Sequence, residues 1–334
     1  MILGTFIIAE LSANHNHDLG LAKKTILAAK EAGADAVKLQ TYTADTITID
    51  CDKPYFQINS GTLWDGTTLY KLYQEAYTPW EWHEELFNYG RELGLVMFST
   101  PFDYSAVDFL EGLGNPIYKI ASFEAMDYPL IEYAATKGKP MIISLGMLSL
   151  EEIGEMVNAC RKVGNDDITL LVCTSSYPAK PEDAQLLKIS DIASRFDVKV
   201  GLSDHTMGSA VASAAVALGA CVIEKHFIID RALGGVDSTF SMTPDEFRQM
   251  VDAIRTIEKA VSAPDYTKIS DRTFARSLFV VKDVRKGEKF TAENTRSIRP
   301  SNGLHPKYYP KVLGSTATCD IERGTPLEWA MTNA

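Results

Sequence analysis

The chain has 334 residues, 46% of them hydrophobic and 23% charged, with a formal net charge of −11. That composition belongs to a globular protein with ample apolar material, and the length suits one large domain of about 250 residues with a small one appended. The negative balance excludes a general nucleic-acid or anionic-membrane binder, while leaving room for a locally basic site.

The N-terminal MILGTFIIAEL has no basic region followed by a cleavage site and runs straight into a strand-like segment. No apolar run approaches the ~20 residues that span a bilayer, so a cytoplasmic protein is expected. Cys51, Cys160, Cys173, Cys221 and Cys319 are scattered without a C-x-x-C pair. They read as free thiols in a reducing compartment.

Short apolar runs alternate with longer amphipathic ones, the beat of a parallel α/β fold. The strand candidates are TFIIAEL (5–11), AVKLQTY (36–42), LVMFST (95–100), IYKIAS (117–122), MIISLG (141–146), ITLLVCTS (168–175), KVGLSDH (199–205) and CVIEKHF (221–227). Helical patterns fall at 21–33, 80–94, 149–164, 209–220 and about 244–262. Eight β/α units favour a closed barrel over an open sheet, and no G-x-G-x-x-G follows the first strand. Residues 43–79 form a long insertion rich in Thr, Tyr and Asp after the second strand. That is the face where barrel active sites sit. A polar linker precedes a β-rich tail in which KDVRKGEKF and CDIERGTPL form a weak internal repeat. The division expected is a barrel at 1–262, a linker at 263–275 and a small domain at 276–334.

Polar residues close every strand candidate: Glu10; Lys38 and Gln40; Ser99 and Thr100; Lys119 and Ser122; Ser144; Thr174 and Ser175; Ser203, Asp204 and His205; and Glu224, Lys225 and His226. Unpaired charges are costly to bury, so convergence on one mouth would let them pair with each other or with a charged ligand. Lys38 and Lys119 with Ser122, Ser144 and Ser203 can cradle a phosphate; alternatively Glu10 and Glu224 simply neutralise the two lysines. His205 and His226 end adjacent strands and can share one divalent metal, or can be hydrogen-bonded shapers of the mouth. Lys119 and Lys225 are also candidates for the Schiff base of an aldolase. His83 reads as structural, and His15 and His17 lie in the loop after the first strand.

At these residues the sequence resembles the sialic acid synthase family. The likeness is carried by IAELSANHN (8–16), VKLQTY (37–42), STPFD (99–103), YKIAS (118–122), LLVCTSSYP (170–178), GLSDHTMG (201–208) and VIEKHF (222–227), and the tail is similar to the family's SAF (antifreeze-like) domain. The fold implied is a (β/α)8 TIM barrel followed by a small β-rich SAF domain. Segments 61–83 and 296–309 resemble the pseudaminic acid synthase branch rather than the N-acetylneuraminate branch.

The resemblance implies condensation of phosphoenolpyruvate with an open-chain acetamido sugar, releasing phosphate, with a divalent metal (manganese, magnesium or cobalt). The sugar implied is 2,4-diacetamido-2,4,6-trideoxy-L-altrose, with a legionaminic or neuraminic acid precursor as the alternative. On this chain His205 and His226 match the metal ligands, and Glu10, Lys119, His205 and His226 are the expected catalytic set. Lys38, Thr100, Lys119, Ser122, Ser144, Ser175 and Ser203 match phosphoenolpyruvate positions, and Gln40, Phe102, Glu124, Tyr177, Glu224 and Asp237 match positions around the sugar. Arg299 matches an arginine that the family delivers to the sugar's acetamido group from the partner of a domain-swapped homodimer. Ser175 stands where the neuraminate branch has asparagine, Leu145 replaces a common threonine, His17 replaces a frequent glycine, and Phe274 is a candidate for a residue closing over the site.

Overall fold

The computed structural model describes residues 4–59, 61, 64–261 and 263–334; Met1, Ile2, Leu3, Ser60, Thr62, Leu63 and Ser262 lie outside it. The chain divides into two compact units, Met1–Ser262 and Ala263–Ala334.

In the first unit eight parallel strands close into a barrel in chain order. They are β1 (Phe6–Glu10), β2 (Ala36–Thr41), β3 (Val96–Pro101), β4 (Tyr118–Ile120), β5 (Met141–Ser144), β6 (Ile168–Cys173), β7 (Lys199–Asp204) and β8 (Val222–His226). Seven lie inside the runs read from the sequence, and β3 passes the end of its run by one residue, Pro101. Register brings the charged ends level: Glu10 lies opposite Lys38 on one side and His226 on the other, and Ser203 lies opposite Glu224.

Side chains along a barrel strand alternate between the interior and the helix layer. Phe6, Ile8, Ala36, Phe98, Ile142, Leu171 and Val222 form an interior apolar plug. Two residues above members of that plug stand Glu10, Lys38, Thr100, Ser144, Cys173 and Glu224, all buried. Gly201 belongs to the same interior set, and a Cβ there would come within 2.3 Å of the Val222 carbonyl oxygen. The opposite parity, including Ile7, Val37, Met97, Ile143, Leu170 and Ile223, packs against the helices in the main core.

Among the described residues the insertion contains a 3-10 turn at Pro54–Phe56 and two α-helices, Ala44–Ile47 and Leu69–Ala76. Between them Ile58 N donates to Thr67 O and Gly66 N to Ile58 O, folding the loop back on itself. Trp80 Nε1 donates to Tyr42 O, Trp64 Nε1 to Val236 O and His17 Nε2 to Glu75 O. His15 Nε2 lies 3.1 Å from Thr78 Oγ1. The insertion is thus tied to the barrel at both flanks.

His83 is structural, as expected. Its Nδ1 donates to Pro79 O, so Nε2 accepts from Thr41 Oγ1 at 2.8 Å. Burial lowers its pKa to about 4. The folded state therefore resists protonation that the unfolded chain accepts below about 6.5. The stability contributed by neutral His83 is fully present above pH 6.5 and is lost as pH falls toward 4. Denaturant titrations of the wild type and His83→Asn should show slopes differing by about 1 kcal/mol per pH unit in that window; parallel slopes would refute the assignment.

In the second unit β9 (Ser277–Val280) pairs antiparallel with β10 (Thr295–Ile298). The sequence repeat is a structural one. Val284 and Ile321 exchange backbone hydrogen bonds of 2.9 and 2.8 Å. Gly287 and Gly324 take equivalent left-handed turns, with φ of 82° and 92°. Phe290 and Leu327, at matching offsets, are both fully buried in the unit's core. Among the described residues no helix is long and apolar enough to cross a membrane.

Candidate active site

The C-terminal ends of the strands open into a cavity of about 530 Å³. Its floor is a buried ionic group. Lys38 pairs with Glu10, and Glu224 Oε1 lies 3.8 Å from Lys38 Nζ and 3.5 Å from Lys119 Nζ. All four side chains are at most 7% exposed. The neutralised arrangement envisaged from sequence therefore exists, and it lines a cavity rather than filling a core.

The four groups do not titrate alike. Burial pushes Glu10 up to about 7, against the pull of Lys38. Burial also works on Glu224, but Lys119 and Lys38 outweigh it and hold that carboxyl below its usual range. Burial opposes the Lys38 ammonium, which Glu10 and Glu224 keep charged, whereas burial prevails at Lys119 and lowers its pKa. When Glu10 is protonated, two lysines face one carboxylate. The floor then carries a net positive charge for an anion.

Hydroxyls surround that charge. Lys38 Nζ donates to Thr100 Oγ1 at 3.2 Å, Ser203 Oγ donates to Glu224 Oε1, and Ser122 and Ser175 share a 3.0 Å hydrogen bond. Ser144 Oγ and Glu224 Oε2 are buried without a hydrogen-bond partner among the described residues. Ser122, Ser144 and Ser203 line the cavity, while Thr100 and Ser175 act one contact behind it.

His205 and His226 have ring centroids 5.4 Å apart. His205 Nδ1 donates to Thr174 O at 2.8 Å, which leaves its Nε2 lone pair unprotonated. His226 Nδ1 is buried without a hydrogen-bond partner, 3.9 Å from Asp237 Oδ2. Burial lowers His205 to about 4 and holds His226 well below its ordinary value, so both rings are neutral. Among the described residues no group of three or more His, Cys, Asp or Glu is placed to hold a metal. A cation here would rest on two imidazoles, with other oxygens completing its shell.

Gln40 Nε2 donates to Glu10 Oε1 and to Ser12 Oγ, and Ser12 Oγ donates to Asp237 Oδ2 at 2.5 Å. Phe102, Glu124, Tyr177, Glu224 and Asp237 all line the cavity. Burial lifts Glu124 to about 7. Arg299 and Phe274 lie in the second unit, and both are exposed.

Lys225 does not join the site, which corrects its candidacy as a Schiff-base lysine. It has the outward parity, pairs with Asp204 at 2.7 Å and donates to the carbonyls of Thr206 and Gly208. Sequence reading passed over Ser12, Tyr42, Trp64, Tyr73 and Cys173, which also line the cavity. Burial pushes the Cys173 thiol up to about 11, so it is neutral beside Lys119. Ser12 (φ 47°) and His17 (φ 52°) hold left-handed backbone, which explains why a glycine suits the second position.

Residues 25–266 match the NeuB family, and residues 275–332 match the SAF domain. The chain belongs to the NeuB family. Within this family it is 50% identical over 327 residues to the pseudaminic acid synthase of Helicobacter pylori, covering 96% of each chain. It is 38% identical over 334 residues to the N,N'-diacetyllegionaminic acid synthase of Legionella pneumophila, covering 97% of this chain and 93% of that one. Among solved structures, the spore coat polysaccharide biosynthesis protein of Bacillus subtilis superposes with a TM-score of 0.67 at 33% identity, over 99% of this chain and 96% of that one. The NeuB-family match and the SAF match fall on the barrel and on the small unit respectively.

Proposed function

We propose that this chain condenses phosphoenolpyruvate with 2,4-diacetamido-2,4,6-trideoxy-L-altrose, in its open-chain aldehyde form, to give pseudaminic acid and phosphate. The observation that carries this reading is the buried floor of Lys38, Lys119, Glu10 and Glu224 beneath the unpaired Ser144 hydroxyl, in a NeuB-family barrel. Identity of 50% to a pseudaminic acid synthase, against 38% to a legionaminic acid synthase, supports the choice of sugar.

Lys38 and Lys119 receive the anionic end of phosphoenolpyruvate, with Ser122, Ser144 and Ser203 donating hydrogen bonds to it. Protonation of Glu10 compensates the incoming negative charge. C3 of phosphoenolpyruvate forms the new bond to the aldehyde carbon, whose oxygen takes the proton held by Glu10 and so leaves Glu10 a carboxylate. Water adds at C2, and the Glu10 carboxylate, with a pKa of about 7, is suited to take the water's proton. The C2–O bond then breaks, and phosphate leaves with the bridging oxygen. The donor set of His205 and His226 fits a divalent metal (manganese, magnesium or cobalt), which when bound supplies polarisation of the aldehyde carbonyl. Family likeness further supports a domain-swapped homodimer in which Arg299 of the partner subunit meets the sugar's acetamido group. The five free cysteines support a cytoplasmic setting.

The test is phosphate release with phosphoenolpyruvate and each of the three candidate sugars, run in 18O-water with and without EDTA. The expected result is turnover fastest with the altrose derivative, label in the keto acid and not in phosphate, and loss of activity with EDTA. Label arriving wholly in phosphate would refute C–O cleavage, and full activity in EDTA would remove the metal.

A further inference from the structure

The insertion provides something that the charged floor does not require. Its helix Leu69–Ala76 carries Leu69, Leu72, Tyr73 and Ala76 along one face, at the spacing of an apolar stripe. Such a stripe ordinarily packs into a core. Here Leu69 and Leu72 belong to none of the hydrophobic clusters of the described residues, and they line the cavity together with Ile47 and Ile58. Ile47, Leu69 and Leu72 are only half-buried, which leaves apolar surface facing the cavity. The face is also held in place, because Thr68 caps the helix, Glu75 O is tied to His17 and Thr78 to His15. A fixed apolar roof above an ionic floor calls for a ligand with two unlike ends.

We propose that Ile47, Ile58, Leu69 and Leu72 seat the apolar edge of the sugar, so that the protein selects an acetamido sugar bearing a methyl group where an ordinary hexose bears a hydroxymethyl. The inference rests on the reaction proposed above and assigns its sugar selectivity to the insertion. A methyl group against this roof removes apolar area from water. A hydroxyl there would meet four side chains that neither donate nor accept hydrogen bonds. Pockets of this kind discriminate one such group by about 10- to 100-fold in kcat/KM.

The test uses a matched pair of aldehydes, 2,4-diacetamido-2,4,6-trideoxy-L-altrose and its counterpart with a 6-hydroxyl, in the full chain with phosphoenolpyruvate. The wild type should prefer the 6-deoxy sugar by about 10- to 100-fold. Leu69→Gln and Leu72→Gln keep good helix formers of similar size. Each should shrink that ratio by raising KM for the 6-deoxy sugar while KM for phosphoenolpyruvate stays put, and Leu72→Met should retain the wild-type ratio. Turnover of both sugars at equal kcat/KM, or a ratio that neither glutamine variant changes, overturns the inference alone. Absence of phosphate release with every aldehyde overturns the reaction and this inference together.

Discussion

Lys119→Met should lower kcat/KM for phosphoenolpyruvate by about 100- to 1,000-fold, the size of effect seen when one preorganised charge-stabilising donor is removed from a buried site. Lys119 Nζ sits 3.5 Å from Glu224 Oε1 and donates to Ile120 O at 3.2 Å. Methionine fills nearly the same volume, so the loss is of charge rather than packing. Glu224 keeps Ser203 Oγ at 3.2 Å and Lys38 at 3.8 Å, so the remaining carboxylate is not stranded. Because burial already lowers the Lys119 pKa, its ammonium is held at some expense to the fold. Steady-state kinetics and a melting curve decide the matter together. A variant that melts near the wild type but binds phosphoenolpyruvate unchanged would remove Lys119 from the anion site.

Lys225→Met should give the opposite result. One residue along from Glu224, Lys225 is 1% exposed and faces the helix layer, where it holds Asp204 and two backbone carbonyls. Removing it leaves a buried carboxylate without its cation, which costs about 3–5 kcal/mol. The expected finding is a fall of that size in unfolding free energy, larger than for Lys119→Met, with phosphoenolpyruvate affinity retained in the folded fraction. A variant as stable as the wild type would refute the structural role.

These two lysines show where the sequence was legible and where it was not. Both lie in apolar strand runs, and the regular beat of those runs was enough for all eight strands to be found. Which side of the strand a charge faces depends on parity, and parity is set by the plug. Ile8, Ala36, Phe98, Ile142, Leu171 and Val222 face inward, so residues two further on face inward as well. Glu224 and His226 therefore reach the cavity, and Lys225 between them cannot. In VIEKHF the two environments are adjacent letters. The insertion was legible as long and strategically placed, but not in its purpose. An apolar stripe such as Leu69, Leu72, Tyr73 and Ala76 has the same spacing whether it meets a core or a cavity. Ser12 left still less trace, because its left-handed backbone and its bond to Asp237 bring together positions more than two hundred residues apart.

The plug has one further consequence, which is electrical. Beneath the four charges lies a slab of packed hydrocarbon side chains, a medium of low polarity, so their field is poorly screened from below and is directed toward the open end. The barrel interior acts as an insulator under an electrode. A volume-conserving change from Ile8 to Leu would leave that insulation intact. A polar residue in its place would admit a dipole or a water molecule within reach of Glu10 and Lys38, weakening the hold on an anion without touching any group that contacts it.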